Sequence, residues 1–245
     1  MTLYETLAPL YDSLFPIDPR AAAFLASLVP AGGRRPCVLD AGCATGGHAL
    51  DLAELGWTAV GIDSEAAMIS LALAAGASRG GGRASFYEAD MLSLADRFAG
   101  RSFDLVLCLG NTLPHLLGAA ASSFLAQAHA LLAPGGALVL QTLNFSLPRV
   151  APGFVFPEIS GAGAVMRRSY HEPPQDQAPA LRFVVELESG GLVQRGETLL
   201  TPLGPRDIGS LLARAGFGTP SRFSGWEGRG FDEAVDLYCL TVAKV

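Results

Sequence analysis

The stretch VLDAGCATGGHAL, residues 38–50, decides the fold. An apolar run ends in an acid, Asp40, and small residues follow it. Ala49, Leu52 and Ala53 then recur at helical spacing. The reading is a buried strand, a tight turn and a helix. Two explanations of the turn stand open: a plain strand–helix connection, or a ligand lying against the main chain. Gly42, Gly46 and Gly47 lack a Cβ, so a ligand can approach the backbone there. A helix starting near Gly46 presents unpaired N–H groups and roughly half a positive elementary charge, which suits a carboxylate or a phosphate.

Outward from this stretch the pattern repeats. After the loop PAGGRRP (30–36) and the strand CVLDAG come a second strand, WTAVGID, and a second helix, EAAMISLALAAG. The glycine-rich piece at 79–82 reads as a loop, ASFYEAD as a third strand and FDLVLCLG as a fourth. The fourth is nearly continuous in apolar character, as a strand buried on both faces should be. In ASSFLAQAHALLAPGG, Phe124, Ala128, Leu131 and Leu132 face the sheet and Pro134-Gly135-Gly136 stops the helix. ALVLQTLNF is a fifth strand. Strands alternating with helices predict an α/β fold with parallel β-α-β units and a Rossmann-like, doubly wound sheet.

The rest of the chain flanks that pattern. Residues 1–35 hold TLAPLYDSL and AAAFLASLV, a pair of helices expected to form an N-terminal lid. Residues 36–145 hold the alternating strand–helix half. Residues 146–204 contain AVMRRSYHE, LRFVVELES and VQRGETLL, alternating runs that predict an antiparallel β insertion after the fifth strand, packed over one edge of the sheet. Residues 205–245 supply a helix, with Ile208, Leu211, Leu212 and Ala215 on one face and Gly216 at its end. Two closing strands near 219–226 and 235–244 bring the mostly parallel sheet to seven strands.

Composition narrows the classes. A chain of 245 residues, 50% of them hydrophobic, suits one α/β domain. Net charge is −6 with scattered Lys and Arg, so direct nucleic-acid binding is not expected. The segment MTLYETLAPLYD lacks the basic-then-apolar order of a signal peptide, and no apolar run is long enough to span a bilayer. Cys37, Cys43, Cys108 and Cys239 form no CxxC pair and read as reduced cysteines of a cytoplasmic protein. No His/Cys/Asp cluster has metal-ligand spacing.

The turn at 40–47 matches neither the GxGxxG of dinucleotide sites nor the GK[ST] of phosphate loops. It resembles the first motif, DxGxGxG, of class I S-adenosylmethionine-dependent methyltransferases, with Asp40, Gly42 and Gly46 in place and Ala44 where a glycine is usual. GIDSEAAM (61–68) ends the second strand with Asp63, 23 residues after Asp40, and carries Gly61 and Met68 of the family pattern, with Ser64 shifted by one. A carboxylate there can accept both ribose hydroxyls. YEADMLSL (87–94) ends the third strand with Asp90, which the resemblance implies accepts from the adenine amino group, with Met91 packing on the ring. Each acid alone also reads as a helix cap; three at successive strand ends form a joint signal.

CLGNTLPHL, after the fourth strand, resembles the CLGNSxxHL signature of the glycine and sarcosine N-methyltransferase branch. The resemblance implies that S-adenosylmethionine is the cofactor and that Asp40, Ala41, Gly42, Cys43, Gly46, Asp63, Ser64, Met68, Asp90, Met91, Leu109 and Gly110 line its site. It also implies that Asn111, His115 and a lid tyrosine, Tyr11 or less well Tyr4, shape the acceptor pocket. Asn111 reads equally as a turn former, His115 as a cap after Pro114, and Tyr11 as an ordinary packing aromatic. One position departs: glycine-type enzymes carry an arginine after the fifth strand, and Leu143 stands there. Loss of that bidentate partner argues against glycine as acceptor, with Arg149, Arg167 and Arg168 left as substitutes or as solvated surface residues.

These readings predict methyl transfer to a nitrogen or oxygen of a small molecule, by a monomer or homodimer. In-line displacement from an activated donor depends mainly on positioning, which contributes about 7–11 kcal/mol. A base matters only for a protonated or hydroxylic acceptor, and His115 is the candidate. The rivals are a protein that binds S-adenosylmethionine or S-adenosylhomocysteine without methylating anything, and a nucleotide-dependent oxidoreductase.

Overall fold

The computed structural model describes residues 6–30, 32–79, 82–177 and 179–245. Tyr4, and Gly80 and Gly81 of the glycine-rich loop, lie outside them. The central sheet contains β1 (Cys37–Ala41), β2 (Thr58–Asp63), β3 (Ala84–Glu88), β4 (Phe103–Cys108), β5 (Leu132–Leu143), β10 (Ser221–Phe223) and β11 (Tyr238–Lys244). Its order is β10-β11-β5-β4-β1-β2-β3. The five strands from β3 to β5 are parallel, while β11 runs antiparallel to β5 and β10. Seven strands in this doubly wound arrangement are what the sequence pattern predicts.

Alternation along the strands builds two cores. Leu39, Ala41, Val60, Ile62, Val106 and Leu138 point to one face, Val38, Ala59, Leu105, Leu107 and Val139 to the other. The first face is covered by α5 (Leu94–Arg97), α6 (Ala120–Leu131) and α7 (Pro205–Arg214), the second by α2 (Ala21–Ser27), α3 (Gly47–Glu54) and α4 (Ala66–Ser78). Two covered faces explain why the strands read as unbroken apolar runs. Each buried Leu, Val or Phe contributes about 1.5–3 kcal/mol. Asp207 caps α7 by accepting the Gly204 N–H at 2.9 Å, Pro205 opens it, and Gly216 at φ +98° follows its end. Among the described residues no helix is long and apolar enough to cross a membrane.

Three features differ from expectation. The lid's helices are short, α1 (Tyr11–Leu14) and α2, because Pro16 and Pro19 break the segment between them. Helix α6 ends at Leu131, ahead of the proline, because Leu132 turns extended and pairs with Phe103. The insertion forms its own antiparallel sheet, β6 (Ile159–Gly161), β7 (Ala164–His171), β8 (Leu181–Ser189) and β9 (Leu192–Leu200), but not over a sheet edge. Ala164, Met166, Val185 and Leu187 pack on Leu7, Ala8 and Leu14 of the lid and on Met68 at the start of α4. Tyr170, Leu181 and Leu200 pack on Leu143 at the end of β5. The insertion therefore roofs the carboxyl ends of the central strands.

Candidate active site

Chain order reverses between β1 and β4, which are neighbours in the sheet. In open parallel sheets ligands bind beyond the carboxyl ends at such a point, and residues 40–47 and 109–115 lie there.

The loop after β1 is held by backbone hydrogen bonds. The N–H groups of Gly42 and Cys43 both donate to the Ile62 carbonyl at 2.9 Å, and Gly46 N–H donates to Cys43 O at 2.9 Å. Gly42 and Gly46 have φ of +82° and +81°, and Ala44 has φ of +47°. Ala44 therefore occupies the left-handed conformation for which glycine is favoured, at a cost of about 1–2 kcal/mol. Its N–H donates to Asp63 Oδ2 at 2.9 Å.

The glycines also answer to packing, which the sequence reading did not anticipate. A Cβ on Gly46 would stand 2.5 Å from the Phe86 ring, and one on Gly42 2.8 Å from Thr112. Gly61 is pressed by Phe86 and Cys43 in the same way. Gly110 differs: a Cβ there would meet nothing within 4 Å, so its face is open space above β4. The signal for Gly46 and Gly61 lies in Phe86 on β3, a residue that no local motif marks.

The three acids sit at the ends of β1, β2 and just beyond β3. Asp40 is 2% exposed. Burial, with the Asp63 charge second, pushes its carboxyl up from 3.8 to about 7. Asp63 accepts the Ala44 N–H on one oxygen and the Glu65 N–H on the other, at 2.9 and 3.0 Å. It thus pins the first loop to the second strand while each oxygen keeps a further lone pair. Asp90 is exposed and accepts the Leu92 N–H at 2.8 Å, capping the turn Met91–Ser93. Met91 packs against the sheet core, Ser64 is exposed, and Ala41, Cys43 and Leu109 are buried. Met68 is enclosed in the cluster between lid and insertion.

The loop after β4 is stitched to β5. Gly110 N–H donates to Gln141 Oε1 at 3.0 Å and Asn111 N–H to Gln141 O at 2.9 Å. Asn111 has φ of +63°, and its Oδ1 accepts the Leu143 N–H at 2.9 Å. The turn-former reading of Asn111 holds, and its side-chain amide faces the Tyr170 hydroxyl without a hydrogen bond of good geometry. Burial pushes the Tyr170 phenol up. His115 closes the short turn Leu113–His115 and is half-buried, and burial lowers its pKa, so its imidazole is neutral at pH 7. Thr201, at the end of the insertion, donates its N–H to Pro114 O at 2.7 Å.

The lid is docked from the other side. Thr45 Oγ1 donates to Asp12 Oδ1 at 2.5 Å, and Ser13 lies against Gly161 of the insertion. The Tyr11 ring packs 5.1 Å from that of Phe15. Of the three arginines, Arg149 donates to Val235 O and Arg167 points outward, while Arg168 is half-buried beneath the roof.

These residues fit an adenosyl cofactor. Carboxylates stand at adjoining strand ends, the most deeply buried acid lacks a cation, and Gly110 leaves room. Residues 38–136 match the family model described as a methyltransferase domain. The CcbJ methyltransferase from Streptomyces caelestis superposes with a TM-score of 0.83 at 27% identity, over 100% of this chain and 98% of that one. The chain is similar to methyltransferases over residues 38–136 and in its whole fold.

It is 32% identical to the glycine/sarcosine N-methyltransferase of Halorhodospira halochloris over 140 residues, 55% of this chain. That match spans about half, 51%, of the curated relative. The S-adenosylmethionine-bound CalS10, an amino pentose methyltransferase from Micromonospora echinaspora, shares the fold with a TM-score of 0.67 at 24% identity, over 100% of this chain and 97% of that one. These likenesses lend the oxidoreductase reading no support.

Proposed function

We propose that this methyltransferase moves a methyl group from S-adenosylmethionine to the nitrogen of a small-molecule amine. The observation that carries the reading is the line of acids, Asp40, Asp63 and Asp90, at the ends of three adjoining parallel strands, on the side where the insertion packs. The N-methyltransferase relative supports nitrogen over oxygen.

S-adenosylmethionine, when bound, supplies a methyl group already activated by a sulfonium. The protein's residues then bind, orient and exclude water. Asp63 receives the ribose hydroxyls on its remaining lone pairs, and Asp90 the adenine amino group. Asp40, ionised, offsets the ligand's positive charge from a buried position, where charge interactions are stronger than in water. Ala41, Gly42, Cys43, Gly46, Leu109 and Gly110 bring the backbone close. Ser64, Met68 and Met91 complete the adenosine side.

On the acceptor side, Asn111 and Tyr11 would hold the amine with its lone pair toward the activated methyl group. With S-adenosylmethionine bound, its sulfonium would supply the methyl group and keep the electron pair of the carbon–sulfur bond. The methylated nitrogen carries one proton too many. Neutral His115 accepts that proton, or removes one beforehand from an ammonium. Lid and insertion keep water out, and orientation supplies the larger share of the acceleration.

The protein is read as a cytoplasmic monomer or homodimer that acts on small molecules without direct nucleic-acid contact, in keeping with a net charge of −6 and scattered basic residues. The test is calorimetry with S-adenosylmethionine and with NAD, followed by S-adenosylhomocysteine release over a panel of amines, acids and phenols. Tight binding of S-adenosylmethionine and turnover confined to amines are expected. Turnover confined to phenols or acids overturns the amine assignment. Binding without turnover across the panel overturns the enzyme reading in favour of a sensor.

A further inference from the structure

The insertion's sheet has two unlike edges. β6, at one edge, is three residues long, and its Gly161 lies against Ser13 of the lid. β9, at the other, runs nine residues, and among the described residues it pairs with β8 alone, in unbroken register. It carries no proline and no lysine, which commonly blunt an exposed edge. Its first two side chains, Leu192 and Val193, are 71% and 64% exposed. The two-residue turn Gly190-Gly191, with φ of +58° and +78°, joins β8 to β9, so Ser189 and Leu192 form the hydrogen-bonded pair that closes the hairpin. Bonded and non-bonded pairs alternate along an antiparallel ladder. Leu192, Gln194, Gly196 and Thr198 therefore spend their backbone groups on β8, and those of Val193, Arg195, Glu197 and Leu199 point away from it. Beyond the strand, Pro114 O takes the Thr201 N–H at 2.7 Å, so the open edge is the strand itself.

The sequence of this edge complements itself. Laid antiparallel on a second copy about Gly196, the strand sets Leu192 beside Leu200 of that copy, Val193 beside Leu199, Gln194 beside Thr198 and Arg195 beside Glu197. Two-fold symmetry makes each of these pairs twice. Apolar meets apolar, polar meets polar and cation meets anion. The Val193–Leu199 and Arg195–Glu197 pairs join the residues whose backbone groups are free, so ladder bonds and side-chain pairs form together. Charge also fixes the register. Like faces stay together only for slips of two residues, and such a slip moves the centre onto Arg195 or Glu197, setting two guanidinium groups or two carboxylates face to face. Arg195 is exposed and makes no ion pair among the described residues. Glu197 accepts from Arg182 at 3.1 Å and keeps lone pairs for a second donor. Arg167, Glu186 and Arg195 stand in one row across β7, β8 and β9. Glu197 of the second copy continues that alternation of sign.

We propose that β9 is a homodimer interface, where two copies of the chain join their insertions into one continuous sheet through antiparallel β9 strands centred on Gly196. The test reads mass, not turnover, so it stands apart from the methyl-transfer reading. The full chain is followed by sedimentation velocity and light scattering at micromolar concentration and is expected at twice the mass of the single chain. Arg195→Glu and Glu197→Arg each bring like charges together and weaken the dimer about tenfold or more. An equimolar mixture of the two variants restores it, because each copy then presents the charge that the other lacks. A chain carrying both substitutions dimerises by itself as the unaltered protein does. Recovery in the mixture also shows that each variant is folded. A single-chain mass for the unaltered protein leaves the edge to some other partner and overturns the proposal. So does a dimer that neither reversal weakens, or a mixture that stays at the single-chain mass.

Discussion

The Thr45 hydroxyl, in the loop after β1, donates to the Asp12 carboxylate of the lid at 2.5 Å. This bond joins two segments 33 residues apart and makes the state of the lid depend on the cofactor loop. Thr45 is buried and Asp12 exposed. A hydrogen bond to a charged group contributes about 1.5–3 kcal/mol, with the lower end apt for an exposed acid. Asp12→Ala is therefore expected to weaken S-adenosylmethionine binding about tenfold and to speed amide exchange in residues 6–30. Unchanged exchange there, measured by mass spectrometry, means that the lid is held by its apolar contacts alone.

Asp63 has two tasks, and substitutions separate them. Asp63→Ala removes the ribose acceptor and also leaves the Ala44 and Glu65 N–H groups without their partner. Cofactor affinity should fall at least a hundredfold, with a stability loss of about 1–3 kcal/mol. Asp63→Asn keeps one acceptor oxygen and should recover part of both. Calorimetry and thermal melts read the two effects; an Asp63→Ala protein with unaltered affinity refutes the ribose assignment.

The β-α-β half was legible because its strands are covered on both faces, so burial is written into local composition. Leu39 and Val38 need no knowledge of their partners to read as core. The three acids were legible because each ends an apolar run. The place of the insertion was not, because Met166 packs on Leu7 and Met68, and Tyr170 on Leu143, contacts that no periodicity encodes. Arg168 lay between these limits. Its parity with Ala164, Met166 and Tyr170 separates it from Arg167, but only once the inner face of β7 is known.

Ala44 carries strain that its neighbours make worthwhile. At φ +47° it is held by its bond to Asp63. Ala44→Gly relieves about 1–2 kcal/mol of steric cost and gives back about 0.5–1 kcal/mol through greater freedom of the unfolded chain. The net expectation is a slightly more stable protein with unchanged cofactor affinity. Gly46→Ala is the contrast, because its Cβ would press into the Phe86 ring at a φ of +81°. It should cost about 1–3 kcal/mol as overpacking does, and a melt showing no loss would separate Gly46 from Phe86.

Asp40 sets a pH dependence with a definite sign. Its carboxyl is raised from 3.8 to about 7 in the folded protein, so the native state holds a proton that the unfolded chain releases. The associated stability is fully present below pH 4 and is lost as pH rises through 7, a difference of about 4 kcal/mol at most. Asp40→Asn deletes this dependence, so without cofactor the variant should gain on the unaltered protein as pH rises from 5 to 8. A cationic ligand favours the ionised carboxylate, and at pH 7 its binding should release part of a proton. Calorimetry in phosphate and in Tris then gives different apparent enthalpies for S-adenosylmethionine, and Asp40→Asn abolishes the difference while weakening binding. Parallel pH–stability curves for the two proteins would sink the assignment of Asp40 as the buried counter-charge.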